Sequence, residues 1–376
     1  MIQHFHFKSL FDGRTWHNNV TVEVSNGLIV DLYDCVEEHA CSSGNVVPGF
    51  IDTQVNGGGG ALFNFEASRD GLKTMMAAHA AYGTVAMLPT LITDDAEVIA
   101  AAAEAIAQAV EAKEPGILGV HFEGPHLSVP KKGTHEESKI RPISDAEWAV
   151  YERTDLGIKM VTLAPECVEL ADIERLVRAE VIVCLGHTNA TFEQANAALA
   201  AGAKGFTHLF NAMSPFTSRE PGVVGSALLA DDAWCGIIVD RHHVSSGALK
   251  VALRSKPKGK LVLVTDSMSL IGTDDSEFEF FGRKVIRSGD RLNSTTGELA
   301  GSHLDMLAAV NNASNDLGLS FEEAVAMASE YPAQFVGAAM LGSLRVGAAA
   351  SWVQLNEDNT QVLATVIDGQ TIYQQQ

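Results

Sequence analysis

The sequence predicts an α/β fold: a (β/α)8 TIM-type barrel with a small β-sandwich formed by the N- and C-terminal segments. Three observations carry this. Eight short apolar runs alternate with helix-like segments between residues 46 and 268, residues before 46 alternate like paired strands, and the tail after 343 returns to strand-like alternation. The 376 residues are 46% apolar and 19% charged, enough for one large barrel with an attachment and incompatible with general disorder.

Taken in order, HFHFKSLFDG and NNVTVEVSNGLIVDLYD alternate with a period of two, and Asn26-Gly27 marks a hairpin turn. The apolar runs cover 46–57, 84–92, 116–124, 158–166, 181–188, 205–212, 234–244 and 260–268. Their Val, Ile and Leu content is what strands buried on both faces require. Between them, 94–113 is an Ala-rich helix with acidic residues in its first turn and Pro115-Gly116 past its end. Ser144 and Thr191 are N-caps of helices over 144–153 and 191–202. From about 303 the chain turns helical, which leaves a barrel over 48–342 and a small β domain built from 1–47 and 343–376.

Lys plus Arg number 26 against 47 Asp plus Glu, a net charge of −21. That sign argues against a nucleic-acid or anionic-membrane partner, while two or three placed cations would still hold one small anion. The cysteines Cys35, Cys41, Cys167, Cys184 and Cys235 form no C-x-x-C pair, as expected of reduced thiols in a cytoplasmic protein. The N-terminus lacks the charged start and apolar run of a signal peptide, and no stretch approaches about 18 uninterrupted apolar residues. A soluble protein is the expectation.

The chemistry lies in what the apolar runs end with. The third ends in His121 and Glu123, the fifth in His187, the sixth in His208, the seventh in Asp240, His242 and His243, and the eighth in Asp266. In a barrel these positions project at the C-terminal face, where active sites are built. Glu123, His187 and His208 make a two-His, one-carboxylate set suited to one catalytic divalent metal ion with an open position. Zn²⁺ is the first expectation, and Fe²⁺ or Co²⁺ accept the same donors. Asp266 is then the general base and later the acid. A single strand-end His is more often a hydrogen-bonded structural residue; the set at corresponding strand ends points to a site.

Several motifs carry a resemblance: PGFIDTQVNGGGG (48–60), HFEGPHLS (121–128), KKGTHEE (131–137), LGHTNAT (185–191), THLFNAMSP (207–215), REPG (219–222), VTDSM (264–268) and LAGSHLDM (299–306). In this order they resemble the N-acetylglucosamine-6-phosphate deacetylase family of the metal-dependent amidohydrolases. The resemblance implies hydrolysis of N-acetyl-D-glucosamine 6-phosphate to D-glucosamine 6-phosphate and acetate, in amino-sugar catabolism. N-acetylgalactosamine 6-phosphate is the alternative substrate. A non-catalytic sugar-phosphate sensor is a remote second class, opposed by the intact Glu123, His187, His208 and Asp266. Carried over by position, Thr134 and His135 contact the substrate near the reacting acetamide, and Asn211 and Ala212 hold the sugar. Arg219 and His243 bind the phosphate, Arg219 reaching in from the neighbouring subunit of a homodimer. Leu299, Ala300 and Gly301 line the sugar pocket.

The chain departs from that pattern at named places. Many amidohydrolases carry His-x-His after the first strand; here Gln54 and Asn56 stand there, and neutral amides favour a single metal. His4-Phe5-His6 precedes the barrel and is read as an ordinary strand face. Before His243 the family has Gly and an apolar residue, whereas this chain has Arg241 and His242. Ser351 replaces a frequent Asp, with a packing consequence expected. The glycines at 57–60 lack the Lys of a phosphate-binding P-loop and are read as a strand-end loop, and Lys131 and Lys132 as solvated loop lysines.

Overall fold

The computed structural model describes residues 2–35, 41–295, 297 and 299–375. The chain opens with β1 (Ile2–Phe11), β2 (Trp16–Ser25), β3 (Leu28–Asp34) and β4 (Ser42–Pro48). Asn26 and Gly27, at φ +52° and +78°, supply the left-handed pair that a two-residue hairpin turn demands, and Ser25 faces Leu28 across it.

The barrel starts with β5 (Phe50–Val55), after which the short strands β6 (Gly57–Gly58) and β7 (Ala61–Leu62) pair in the first loop. Its other strands are β8 (Thr84–Ile92), β9 (Gly119–Glu123), β10 (Ile158–Leu163), β11 (Val181–Leu185), β12 (Gly205–Phe206), β13 (Trp234–Ile237) and β14 (Leu261–Leu263). All eight predicted runs are therefore strands, in parallel sequential order from β5 to β14. The ring closes beyond β14: Val55 bridges Ser267, and the Asp266 N–H donates to the Gln54 carbonyl at 2.9 Å. Every residue of β5, β8 and β9 is buried, as strands covered on both faces must be.

One helix follows each barrel strand: α1 (Arg69–Ala80), α2 (Ala96–Glu111), α3 (Asp145–Tyr151), α4 (Leu170–Arg178), α5 (Phe192–Ala200), α6 (Gly222–Leu229), α7 (Ser246–Ser255) and α8 (Met306–Leu317). The predicted caps are in place. Ser144 forms a capping box with Glu147, and Thr191 one with Gln194. Two more helices, α9 (Phe321–Ala328) and α10 (Glu330–Val336), lead back to the small sheet. None of the helices is long and apolar enough to cross a membrane, among the described residues.

One element was not predicted. Between β14 and α8 the strands β15 (Glu277–Phe280), β16 (Arg283–Ser288) and β17 (Arg291–Ser294) form an antiparallel sheet. Its apolar side, Phe280, Val285 and Leu292, packs with Leu62, Ile92 and Met268. The tail supplies β18 (Trp352–Leu355), β19 (Val362–Ile367) and β20 (Gln370–Gln374). The small β unit built from both termini is hydrogen-bonded as one seven-stranded sheet, β20-β19-β18-β4-β1-β2-β3. Its seam is β4 against β18, with Val47 opposite Val353. The Trp352 ring is buried, edge-on to Phe5 and Phe7 at 4.8 and 5.6 Å.

Candidate active site

Glu123 is the last residue of β9, while His187, His208 and Asp266 follow the ends of β11, β12 and β14. The barrel brings all four to one buried place. Glu123 Oε1 lies 3.2 Å from His187 Nε2 and 3.0 Å from His208 Nε2, and the two nitrogens are 3.0 Å apart. His187 donates Nδ1–H to the Lys131 carbonyl at 2.8 Å, which turns its Nε2 lone pair toward the other two atoms. His208 Nδ1 is buried with no hydrogen-bond partner. A carboxylate oxygen and two ring nitrogens this close together can all turn lone pairs to a cation held among them. Donors about 2 Å from a tetrahedral metal are roughly 3.3 Å apart, close to the observed spacing, so the set fits one divalent ion. His135 also brings a ring nitrogen within 4.8 Å of Glu123 and His187. However, its Nδ1 is 2.8 Å from Thr93 Oγ1, and His208 stands nearer to both partners.

Burial pushes the Glu123 carboxyl up, but the hydrogen bonds and charges of His187 and His208 outweigh it and hold the group well below the usual range. Burial lowers His208, and the Glu123 hydrogen bond and charge more than reverse that, leaving it raised. Asp266 is raised, first by burial and then by the nearby Glu123 charge. His135 is pushed down to about 3 by burial, then by His187, so it stands neutral at physiological pH.

Three of these residues sit in backbone conformations that L-residues avoid: His187 at φ +47°, His208 at φ +31° and Asp266 at φ +52°. Each costs of order 1–3 kcal/mol, which a fold carries where geometry is needed for chemistry. Asp266 Oδ1 accepts from Asn56 Nδ2 at 2.7 Å and from Gln54 Nε2 at 3.2 Å. Gln54 Nε2 is also 3.2 Å from Glu123 Oε1. The two amides that replace His-x-His thus tie the carboxylates in place. His121, though at a strand end, lies outside this group. Its Nε2 meets Thr162 Oγ1 at 2.7 Å and its Nδ1 the Thr53 carbonyl at 3.1 Å, a structural clamp.

Beside the four lies a cavity of 220 Å³ lined by Thr134, His135, Asn211, Ala212, His243, Leu299 and Gly301. Two of the expected residues are elsewhere. Ala300 faces an adjoining chamber. Arg219 is exposed on the loop before α6, away from the cavity, so a single chain does not bring it to the site. His243 Nδ1 donates to Asp240 Oδ2 at 2.6 Å, and Asp240 Oδ1 accepts the N–H groups of His242 and His243 at 2.9 Å. Burial raises the Asp240 carboxyl, but its bonds to His243 prevail and bring it to about 2.

The departures before His243 also have a physical account. Arg241 takes φ +69°, a conformation natural to the Gly it replaces, and its guanidinium is anchored on Asp316 at 2.6 and 3.2 Å. His242 Nε2 lies 2.8 Å from Asp290 Oδ1, on the turn joining β16 and β17. Sequence reasoning missed Ile92, Met268 and Phe280 on the cavity wall, and Thr93 behind His135. The alternation in EFEFFGRKVIRSG, punctuated by Gly282 and Gly289, is the signal that would have revealed the inserted sheet. A larger cavity, 610 Å³, lies between the β1–β2 turn and α10, and among the described residues no histidine lines it.

The amidohydrolase family pattern matches residues 45–372. An N-acetylgalactosamine-6-phosphate deacetylase of Shewanella sp. (strain ANA-3) is 48% identical over 361 residues, covering 94% of this chain and 91% of that protein. An N-acetylglucosamine-6-phosphate deacetylase of Haemophilus influenzae is 38% identical over 331 residues, 86% of each. The crystal structure of N-acetylglucosamine-6-phosphate deacetylase from Pasteurella multocida superposes with a TM-score of 0.93 at 33% identity, over 99% of each chain. With two histidines and a carboxylate converging at the strand ends and relatives matched along nearly their whole length, the chain belongs to the amidohydrolase family, among the N-acetylhexosamine-6-phosphate deacetylases.

Proposed function

We propose that the chain hydrolyses the acetamide of N-acetyl-D-glucosamine 6-phosphate, giving D-glucosamine 6-phosphate and acetate. The observation that carries this is the convergence of Glu123, His187 and His208 within 3.2 Å, with Asp266 lining the same cavity. Glu123, His187 and His208 hold one divalent ion, Zn²⁺ by preference. A divalent cation there supplies Lewis-acid chemistry, polarising a carbonyl and acidifying water. Asp266, oriented by Asn56 and Gln54, takes the proton from the attacking water and passes it to the amine nitrogen as the C–N bond breaks. Neutral His135, its Nδ1 tied to Thr93, keeps Nε2 free to donate to the carbonyl oxygen as negative charge develops.

His243 holds the phosphate, with Asp240 fixing its ring. Arg219 joins it from a second copy of the chain, a homodimer in the cytoplasm. Arg219 is exposed, and no other described residue hydrogen-bonds or ion-pairs with its side chain, so it is available to such a contact. N-acetylgalactosamine 6-phosphate is the second reading, favoured by the 48% identity to a deacetylase of that sugar. Acetate release from the two sugar phosphates side by side, with Zn²⁺ supplied, tests both. Release from at least one is expected, and the faster one identifies the epimer. Release from neither, by metal-loaded protein, overturns the reading in favour of a sensor.

A further inference from the structure

Asp52, in the middle of β5, is fully buried and lies behind the cavity rather than on its wall. Its Oδ1 accepts the Gln54 N–H at 3.1 Å and the Thr265 N–H at 3.3 Å, and its Oδ2 accepts the Thr265 hydroxyl. Among the described residues no Lys, Arg or His pairs with it. Burial pushes its carboxyl up to about 7, against the bonds from Thr265 and Gln54 and with a further push from the Asp266 charge. A buried carboxyl met only by neutral donors costs stability that an apolar residue in the same strand would not.

What Asp52 holds gives the acid its use. Thr265 directly precedes Asp266, which takes the strained φ of +52°. The Thr265 N–H and hydroxyl go to Asp52 and its carbonyl accepts the Ser302 hydroxyl, so the residue is pinned from both sides. Gln54, tied to Asp52 by its own N–H, accepts the Asp266 N–H on its carbonyl at 2.9 Å. Its Nε2 reaches Asp266 Oδ1 and Glu123 Oε1, both at 3.2 Å. One carboxyl group thus fixes the backbone before Asp266 and the backbone of the amide that orients the Asp266 oxygen. A residue keeps a strained conformation only where its surroundings over-determine it, and Asp52 supplies three of the bonds that do so here.

We infer that Asp52 is a positioning residue for the amide hydrolysis: it holds Asp266 at the angle from which that carboxylate exchanges protons, and it touches no substrate itself. The inference rests on the deacetylase reading above. The role is one of shape, an oxygen for two N–H groups and a polar atom facing Thr265 Oγ1. Asn supplies both. Its Oδ1 accepts the two N–H groups, its Nδ2 donates to Thr265 Oγ1, and the Thr265 proton turns to Ser267 Oγ at 3.1 Å. Ala supplies neither.

The test measures kcat, KM and metal content for Asp52→Ala and Asp52→Asn beside the wild type, on whichever acetylated sugar phosphate the wild type cleaves. Asp52→Ala should lower kcat at least tenfold, with KM within threefold and one metal ion per chain. Asp52→Asn should keep at least a third of the wild-type kcat. A kcat for Asp52→Ala within threefold of wild type makes Asp52 part of the scaffold only and overturns the inference. An Asn variant as slow as the Ala variant overturns positioning by shape, and loss of metal traces the effect to Glu123 instead of Asp266. In an Asp266→Asn background, adding Asp52→Ala should change the residual rate less than threefold, because the group it positions is already gone; a further tenfold loss overturns the inference. Thr265→Val, which removes only the hydroxyl bond, serves if Asp52→Ala does not fold: kcat should fall at least threefold with KM unchanged, and an unchanged kcat overturns the inference. Failure of the wild type to cleave either sugar phosphate removes the deacetylase reading instead.

Discussion

Asp266 carries the sharpest expectation. It lies among buried residues, with Asn56 and Gln54 donating to one oxygen and the Glu123 charge nearby. Asp266→Asn keeps the shape and removes the base, so kcat should fall by two to four orders of magnitude, about what a positioned acid–base contributes. Metal content measured on the same protein should stay at one ion per chain. Unchanged turnover would contradict the role, and loss of metal would make Asp266 a ligand instead. At this scale the sequence was legible where residue type and strand-end position agree, as for Glu123, His187 and His208. It was not legible where backbone strain or a hydrogen bond decides. His121 and Glu123 end the same strand, yet Thr162 and Thr53 take both nitrogens of His121.

Elements explain the rest of the site. The loop before α6 carries Arg219 with Phe216, a residue 59% exposed, and neither lines the cavity. If that loop completes the phosphate site of a second copy, Arg219→Ala should raise KM for the sugar phosphate at least tenfold with little change in kcat. Activity on the same sugar without its phosphate should not change, and an equal loss on both sugars refutes phosphate binding by Arg219. The strands of the barrel were readable because continuous Val, Ile and Leu runs have few other uses. The β15–β17 sheet escaped because its strands are short and rich in exposed Glu, Arg and Lys. Only one side of it, through Phe280, Val285 and Leu292, touches the rest of the protein's apolar material. That element supplies a wall of the site and, through Asp290, a brace for the His243 loop.

For the whole molecule, pH acts through buried groups of opposite sense. His126 bridges the Arg141 carbonyl at 2.9 Å and the Tyr151 hydroxyl at 3.0 Å, and burial lowers it to about 4. An unfolded histidine gains its proton below about 6.5, before the folded one does. The stability His126 contributes is therefore complete above that pH and is lost as pH falls toward 4, by up to about 3 kcal/mol. Asp52, raised to about 7 mainly by burial, works the other way over much of that range. The difference between wild type and His126→Gln isolates the histidine. Denaturant titrations should show their stability gap narrowing from pH 7 to pH 4.5; a constant gap would mean the ring titrates normally.

The seam of β4 against β18 joins the first strands of the chain to nearly the last. During synthesis every barrel strand and its helix emerge before β18 does. The barrel can therefore condense while β4 still presents an unpaired edge, a template for association with other chains. Contacts this distant in sequence form slowly. The late-closing seam, rather than the catalytic mouth, is thus the place where a nascent or truncated chain is exposed to aggregation. A truncation before Trp352 would be lost to insolubility although it retains every proposed metal ligand.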